Sequence, residues 1–233
     1  MTDVRTPTLA EIVAANPAAA RTLDRFGLDY CCHGDRTVAE ACAAADLDPA
    51  TVAAELDALP VEGDRSWTEL EPPALADHIV ETHHRYLHEE LPQLDALAAK
   101  VLGVHGERHP ELAEVRRLVA AVREDLEPHL MKEERVLFPA IHAVAEGERT
   151  FPFGSVANPI RMMTLEHDRT GELLAALRAA AGDYRVPDDA CASFRSLYER
   201  LDALEADTHV HIHKENHVLF PAARRAAGVD DAA

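Results

Sequence analysis

The segment HLMKEERVLFPAI at residues 129–141 returns as HIHKENHVLFPAA at residues 211–223, with eight of the 13 positions unchanged at an offset of 82. The patterns upstream echo one another more weakly, His84 matching His167 at an offset of 83. A chain built this way consists of two equivalent helix pairs. Two hairpins that each bury one face pack most simply as an antiparallel four-helix bundle with a pseudo-twofold axis. Helices are expected from about Ala74 to Leu102, with a kink at Pro92, and from near Pro110 to near Ala145. A third is expected from Asn158-Pro159, a cap followed by proline, to near Gly182, and a fourth from about Asp188 to Ala227. No stretch alternates as a strand does, so the fold class read from the sequence is all-α.

Residues three and four apart share a helix face. The four seams run through Val80, His84 and Leu87; Leu126, His129, Glu133 and Val136; Met163, His167 and Leu174; and Thr208, His211, Glu215 and Val218. Each seam is largely apolar except at one level, which carries four imidazoles and two carboxylates in total. Burying such a set unpartnered costs roughly 1–3 kcal/mol per group. A pair of metal ions would satisfy them, with histidines supplying neutral nitrogens and Glu133 and Glu215 each bridging both ions. Nitrogen/oxygen sites suit iron, manganese or zinc, and bridged ions with open positions fit iron redox chemistry best. A lone His-x-x-x-Glu is usually a surface ion pair, and a lone His84 or His167 a hydrogen-bonded core histidine. The duplication on apolar seams is what favours the metal reading.

The remaining histidines take the bland reading. His213 and His217 are spaced i, i+4, but their first-half counterparts are Met131 and Arg135, so that face is expected to be solvated. His83 and His88 fall off the seam and are expected to be exposed, as are Lys132 and Lys214. His78 lies near the seam as a core or supporting group. His88-Glu89-Glu90-Leu91 is not a zinc-protease motif, because position 92 is proline.

Residues 1–60 read as a separate small helical unit. Thr8-Leu9-Ala10-Glu11 and Thr37-Val38-Ala39-Glu40 are capping boxes. Asn16-Pro17 marks a break and restart, Gly27 a helix stop, and Asp48-Pro49 another start. Between these lies a loop carrying Leu28-Asp29-Tyr30-Cys31-Cys32-His33-Gly34. Residues 61–73 are rich in proline and acid and read as a linker, leaving 74–233 as the bundle. Lys and Arg number 23 against 42 Asp and Glu, a net charge of −19 that repels phosphate backbones and acidic lipid surfaces. With no signal-like start and no long apolar run, a soluble cytoplasmic protein is expected. Four cysteines, two of them adjacent, suit a reducing compartment. Cys42 and Cys191 sit in alanine-rich patterns and are expected to be inert core residues.

Ferritin-like bundles use Glu-x-x-His with single glutamates; this sequence has the converse, the pattern of hemerythrin-like bundles. It resembles the repair-of-iron-centres family of iron-sulfur cluster repair proteins. The resemblance rests on Leu28-Asp29-Tyr30-Cys31-Cys32 with Gly34, on His129 to Glu134 with Leu137-Phe138-Pro139, on Glu166-His167-Asp168, and on His211 to Glu215 with Leu219-Phe220-Pro221. His33 is a departure, since the family has Cys-Cys-Gly-Gly there. The resemblance implies a non-haem di-iron centre, oxo- or hydroxo-bridged when oxidised, with His84, His129, His167 and His211 as terminal ligands and Glu133 and Glu215 as bridges. It makes Glu166 an extra carboxylate near the site. It implies repair or protection of iron-sulfur proteins damaged by nitrosative or oxidative stress, through iron donation or through nitric oxide reductase-type chemistry. Cys31 and Cys32 would relay electrons, iron or nitrosyl groups, with a thiol pKa lowered by the helix beginning at Thr37. The alternative is a hemerythrin-like oxygen- or redox-sensing module without turnover. The sequence leaves the oligomeric state, monomer or dimer, open.

Overall fold

The computed structural model describes residues 6–60 and 66–229. Four short helices come first: α1 (Leu9–Ala15), α2 (Ala19–Arg25), α3 (Val38–Ala45) and α4 (Pro49–Asp57). Both capping boxes form: Glu11 N–H donates to Thr8 Oγ1 and Thr8 N–H to Glu11 Oε2, and Thr37 and Glu40 do the same. Asp48 caps α4 with Pro49 in its first turn. Gly27, at φ 66°, ends the turn after α2 in a conformation glycine adopts without strain. Asn16 caps the end of α1, but α2 begins at Ala19, two residues beyond the proline expected to open it. Leu9, Val13, Leu23, Tyr30 and Val52 form this unit's core.

Four long rods follow. The first is α5 (Pro72–Ile79), a π-helical turn (Val80–His84) and α6 (Arg85–His105). The second is α7 (Leu112–Lys132), a π turn (Glu133–Leu137) and α8 (Phe138–Ala145). The third is α9 (Ala157–Ala180), and the fourth α10 (Ala192–Lys214), a π turn (Glu215–Leu219) and α11 (Phe220–Ala227). Helix α7 packs on α6 and α9, and α10 closes the ring against both. The chain is all-α, with only two isolated bridges among the described residues, Thr8 to Thr37 and Phe151 to Gly154. Pro92 lies inside α6 and Pro128 inside α7; the first rod's departure from α geometry is the π turn upstream of Pro92. Asn158 and Pro159 lie inside the first turn of α9, which Val156 caps.

Two apolar clusters fill the bundle, one at each end. Leu87, Leu91, Leu126, Leu174 and Leu201 belong to the first, and Leu75, Ile79, Leu137, Met163 and Leu219 to the second. The level of His84, His129, His167 and His211 falls between them.

The small unit sits on one face of α10 and the turn after it. Ile212 joins the small unit's core. His209 Nδ1 meets Asp24 Oδ1 at 2.8 Å, His213 Nδ1 meets the Tyr30 carbonyl at 3.4 Å, and His217 Nε2 meets the Cys31 carbonyl at 3.0 Å. This overturns the solvated reading: His213 is 0% exposed and His217 half-buried. The face is unduplicated because only one half of the bundle carries the small unit. His83 and Lys214, also expected in solvent, are buried: Lys214 Nζ lies 2.8 Å from His83 Nε2 and 5.3 Å from the Trp67 ring. His78 joins the same group, its Nε2 3.0 Å from Lys214 Nζ. His88 and Lys132 are exposed as expected. Trp67 is buried although it falls in the stretch read as a linker; Ser66–Glu69 form a 3₁₀ turn and Pro72 opens α5, while 61–65 lie outside the described residues. Cys42 is buried as expected, but Cys191 is exposed and caps α10.

Gly34 locks the loop onto this face. A Cβ there would stand 2.2 Å from the Tyr30 carbonyl oxygen, 2.8 Å from His217 Nε2 and 2.9 Å from Ala10 Cβ. The first of these contacts is to backbone, so the loop must shift. Gly34→Ala is expected to cost about 1–3 kcal/mol, read as a lower Tm, with faster labelling of the loop thiols by maleimide. Unchanged Tm and labelling would show that the loop is not closely seated.

Candidate metal centre

Three of the four rods break α geometry at the level of the histidines. Glu133 and Glu215 are the first residues of their π turns, and His84 is the last of its own. The repeated Leu-Phe-Pro explains two of them. Pro139 and Pro221 lack the N–H that would return to the residue four before, and their rings crowd that carbonyl. A single wider turn relieves this, and such turns recur at functional sites. In the first rod Thr82 Oγ1 donates to the His78 carbonyl at 2.6 Å, a side-chain bond that competes with the helical ladder.

The six residues singled out on the seams are brought together and are all at most 1% exposed. They form two overlapping groups that share both carboxylates: His84, His211, Glu133 and Glu215; and His129, His167, Glu133 and Glu215. His84 Nε2 and His211 Nε2 are 3.2 Å apart, as are His129 Nε2 and His167 Nε2. Two nitrogens bound to one ion at ~2.1 Å and about 100° stand that far apart. Glu133 Oε2 lies 3.5 Å from His84 Nε2 and 3.3 Å from His129 Nε2, between the two pairs. Glu215 does the same from the fourth rod: its Oε1 lies 3.1 Å from His211 Nε2 and its Oε2 3.1 Å from His167 Nε2. Of the Thr82-His83-His84 run, His84 points inward; His83 Nδ1 instead meets Asp207 Oδ1 at 2.9 Å.

The donor set fits a pair of cations. All four carboxylate oxygens of Glu133 and Glu215 are buried without a hydrogen-bond partner among the described residues. Left so, each would carry an uncompensated desolvation cost. Burial alone would push the imidazoles of His84 and His129 down. Glu133, with Glu134 behind His84 and Glu166 behind His129, overcomes this and pushes them up to about 9 and about 10. Burial raises Glu133, but His129 and His84 hold it well below the ordinary carboxylate range. In a chain without cations, protons on these two imidazoles therefore balance the carboxylates. That contribution is complete below the ordinary imidazole value of 6.5 and is lost as the pH rises through 9 and 10. A cation displaces those protons and competes best where they are already leaving. The rise in Tm on adding a divalent metal is thus expected to grow between pH 6.5 and 9. A shift that is flat or shrinks across this range, by differential scanning fluorimetry, would contradict the proton balance.

Behind the six lies a second ring that the sequence reading found only in part. Nδ1 of His84 meets Glu134 Oε1 at 3.0 Å, Nδ1 of His129 meets Glu166 Oε2 at 3.0 Å, and Nδ1 of His167 meets Asn216 Oδ1 at 2.8 Å. Glu166 thus backs His129 and also pairs with Lys132. The hydrogen bond from His129 lowers its carboxyl to about 2. His211 Nδ1 is buried with no partner among the described residues, and its ring stacks on His83 at 5.4 Å. The repeated phenylalanines cover the ligand rings: Phe138 stacks on His84 at 5.4 Å and Phe220 on His167 at 5.8 Å. The duplication of Phe was the signal for this.

The Cys-Cys loop lies against the same end of the site. Cys31 is buried and Cys32 half-buried, with their sulfurs 3.7 Å apart and not bonded. Asp29 Oδ1 accepts from the N–H groups of Cys31 and Cys32 at 3.0 and 2.8 Å, and Asp29 Oδ2 meets His33 Nδ1 at 2.7 Å. The expected lowering of the thiol pKa does not occur at Cys31. Its hydrogen bond with Cys32, burial and Asp29 push that thiol well up. A cleft of about 450 Å³ runs between the loop and α9, lined by Asp29, Cys31, Cys32, Gly171 and Arg178 among others. A Cβ on Gly171, one turn along α9 from His167, would lie 3.7 Å from Cys32 Sγ.

The sequence matches the hemerythrin HHE cation binding domain over residues 75–223, and the ScdA_N domain, described as of unknown function, over residues 6–60. It is 33% identical over 214 residues to the iron-sulfur cluster repair protein ScdA of Staphylococcus haemolyticus, covering 91% of this chain and 95% of the relative. It is 34% identical over 218 residues to the iron-sulfur cluster repair protein YtfE of Escherichia coli and of Shigella boydii, covering 92% of this chain and 95% of those relatives. Joining an ScdA_N unit to a hemerythrin-type bundle with a buried histidine–glutamate centre, this chain belongs to the iron-sulfur cluster repair protein family.

Proposed function

We propose that the bundle holds a pair of irons and that the protein restores iron-sulfur clusters damaged by nitrosative or oxidative stress, acting in the cytoplasm. The observation that carries the reading is the set of four buried carboxylate oxygens, unpartnered among the described residues and placed between two imidazole pairs. His84 and His211 would hold one ion, His129 and His167 the other, with Glu133 and Glu215 reaching both. Zinc or manganese would accept the same donors; the relatives' names, which specify iron-sulfur repair, favour iron. The chemistry such a pair supplies is the two-electron conversion of two nitric oxide molecules and two protons to nitrous oxide and water, or, in the donor route, ferrous iron as the cargo.

The chain's own part is to orient and to shield. Glu134, Glu166 and Asn216 fix three imidazoles with Nε2 turned inward. Phe138 and Phe220 and the two apolar clusters keep bulk water from the carboxylates. Cys31 and Cys32 would take part from the loop, Cys32 being the more accessible thiol. The reading also takes residues 1–60 as the cysteine unit, 61–73 as the connection and 74–233 as the bundle. No helix among the described residues is long and apolar enough to cross a membrane. The test is iron quantification on protein purified without chelators, followed by anaerobic nitric oxide challenge of the reduced form with nitrous oxide as the readout. Two irons per chain are expected; protein that takes up no iron would end the proposal.

A further inference from the structure

The structure assigns Asn216 as a coupling residue: it ties the docked position of the Cys31–Cys32 loop to the metal position formed by His129 and His167. The inference rests on the metal reading above and deepens it by naming which ion the loop controls.

The argument starts from an amide that has a donor end and an acceptor end. Asn216 Nδ2 donates to the Cys31 carbonyl at 3.0 Å, and its Oδ1 faces His167 Nδ1 at 2.8 Å. A carbonyl can only accept, so the Cys31 oxygen fixes which way the amide points. With Oδ1 turned to His167, Nδ1 must carry an N–H, which makes Nε2 the ring nitrogen that faces the centre, 3.2 Å from His129 Nε2 and 3.1 Å from Glu215 Oε2. The docked loop thereby holds His167 in the form a metal requires. Linkage makes the relation mutual: a metal on Nε2 leaves N–H at Nδ1 and holds the amide, and through it the loop.

The duplication shows that this is specific to one half. The residue at the same place in the first copy, at the offset of 82, is Glu134. Its Oε1 takes His84 Nδ1 at 3.0 Å and His88 Nε2 at 2.9 Å, both from the first rod. A carboxylate has no donor for a backbone carbonyl, so it could not serve under the loop. Asn216 also differs from its neighbour: His217 holds the same Cys31 oxygen at 3.0 Å but makes no hydrogen bond to a ligand histidine among the described residues. Loop displacement, by a client protein or by chemistry at the thiols, therefore loosens the ion at His129 and His167 first and leaves the ion at His84 and His211 in place.

The test uses the full chain, anaerobically loaded with ferrous iron, and has two readouts. One is the rate of maleimide labelling of Cys31 and Cys32 with and without metal. The other is the time course of iron loss to a chromogenic chelator. In the native protein, metal is expected to slow labelling, and iron is expected to leave in two phases. Asn216→Asp keeps an acceptor for His167 but sets a carboxylate against the Cys31 carbonyl. It is expected to abolish the effect of metal on labelling and to speed one phase by roughly 10–100-fold, the usual effect of disturbing a ligand's partner, leaving the other phase unchanged. His217→Leu, which frees the loop without touching His167's partner, is expected to speed the same phase less. If the native chain binds two irons per chain and labels equally fast with and without metal, the coupling is overturned and the metal reading stands. The same holds if Asn216→Asp accelerates both phases alike. If the native chain binds no iron, both fall together. The native labelling comparison decides the matter even should the variant fail to fold.

Discussion

Glu133→Ala and Glu215→Ala are each expected to reduce bound iron from two per chain to none and to remove the metal-dependent part of the protein's stability. Each carboxylate lies between both imidazole pairs, so its loss opens both metal positions rather than one. A ligand present at a hundred times its Kd stabilises by about 2.7 kcal/mol. For a chain of this size that corresponds to roughly 5–11 °C in Tm, at about 2–4 °C per kcal/mol. The chelated variants should lose stability as well, because removing either carboxylate leaves buried imidazoles without the partner that balances them; the part due to metal is what each protein gains on loading. The contrast between metal-loaded and chelated melting curves is therefore the measurement, made alongside iron analysis. Both variants retaining two irons per chain would refute the bridging placement.

Replacing Cys31 and Cys32 together by serine is expected to keep the full iron content and to lower repair of a nitrosylated iron-sulfur protein by at least about tenfold. The thiols are not among the six groups at the centre, and the loop is held by backbone and Asp29 contacts that serine preserves. A serine hydroxyl at 31 can still donate to Asp29, as the thiol does at 3.3 Å. What serine lacks is a soft, oxidisable, nucleophilic sulfur. Single variants should separate the two: Cys32 opens on the cleft, while Cys31 is buried with its thiol pKa pushed up, so Cys32→Ser should cost more. Repair at the native rate by the double variant would show that the loop's sulfur is dispensable.

The bundle and its six central residues were legible because the sequence states them twice. A repeated His-x-x-x-Glu on an apolar seam has no economical surface explanation, and the resulting level falls where the seams predicted it. What was not legible follows from the same reliance on repetition. His209, His213 and His217 form an i, i+4, i+8 stripe with no counterpart in the first half, whose matching positions are Glu127, Met131 and Arg135. Reading lack of duplication as lack of role put His213 and His217 in solvent. The stripe is instead the seat for a unit that occurs once. The π turns were missed for a different reason, since a helical period of 3.6 residues does not register one wider turn; the Leu-Phe-Pro copies were the available sign. His83 and Lys214 were misplaced because they are satisfied by partners on other rods, which spacing along one rod does not reveal. The pKa of Cys31 was misjudged because nearness to a helix start says nothing of a second thiol and a carboxylate at closer range.

The polar level of the bundle has a separate block of packed hydrocarbon on either side. Each block draws on all the rods, so neither depends on what sits in the middle to keep the rods aligned. Emptying or filling that level changes the charge at the waist of the molecule without touching the packing that determines its shape. A bundle arranged in this way can lose and regain what its centre holds while keeping its native form.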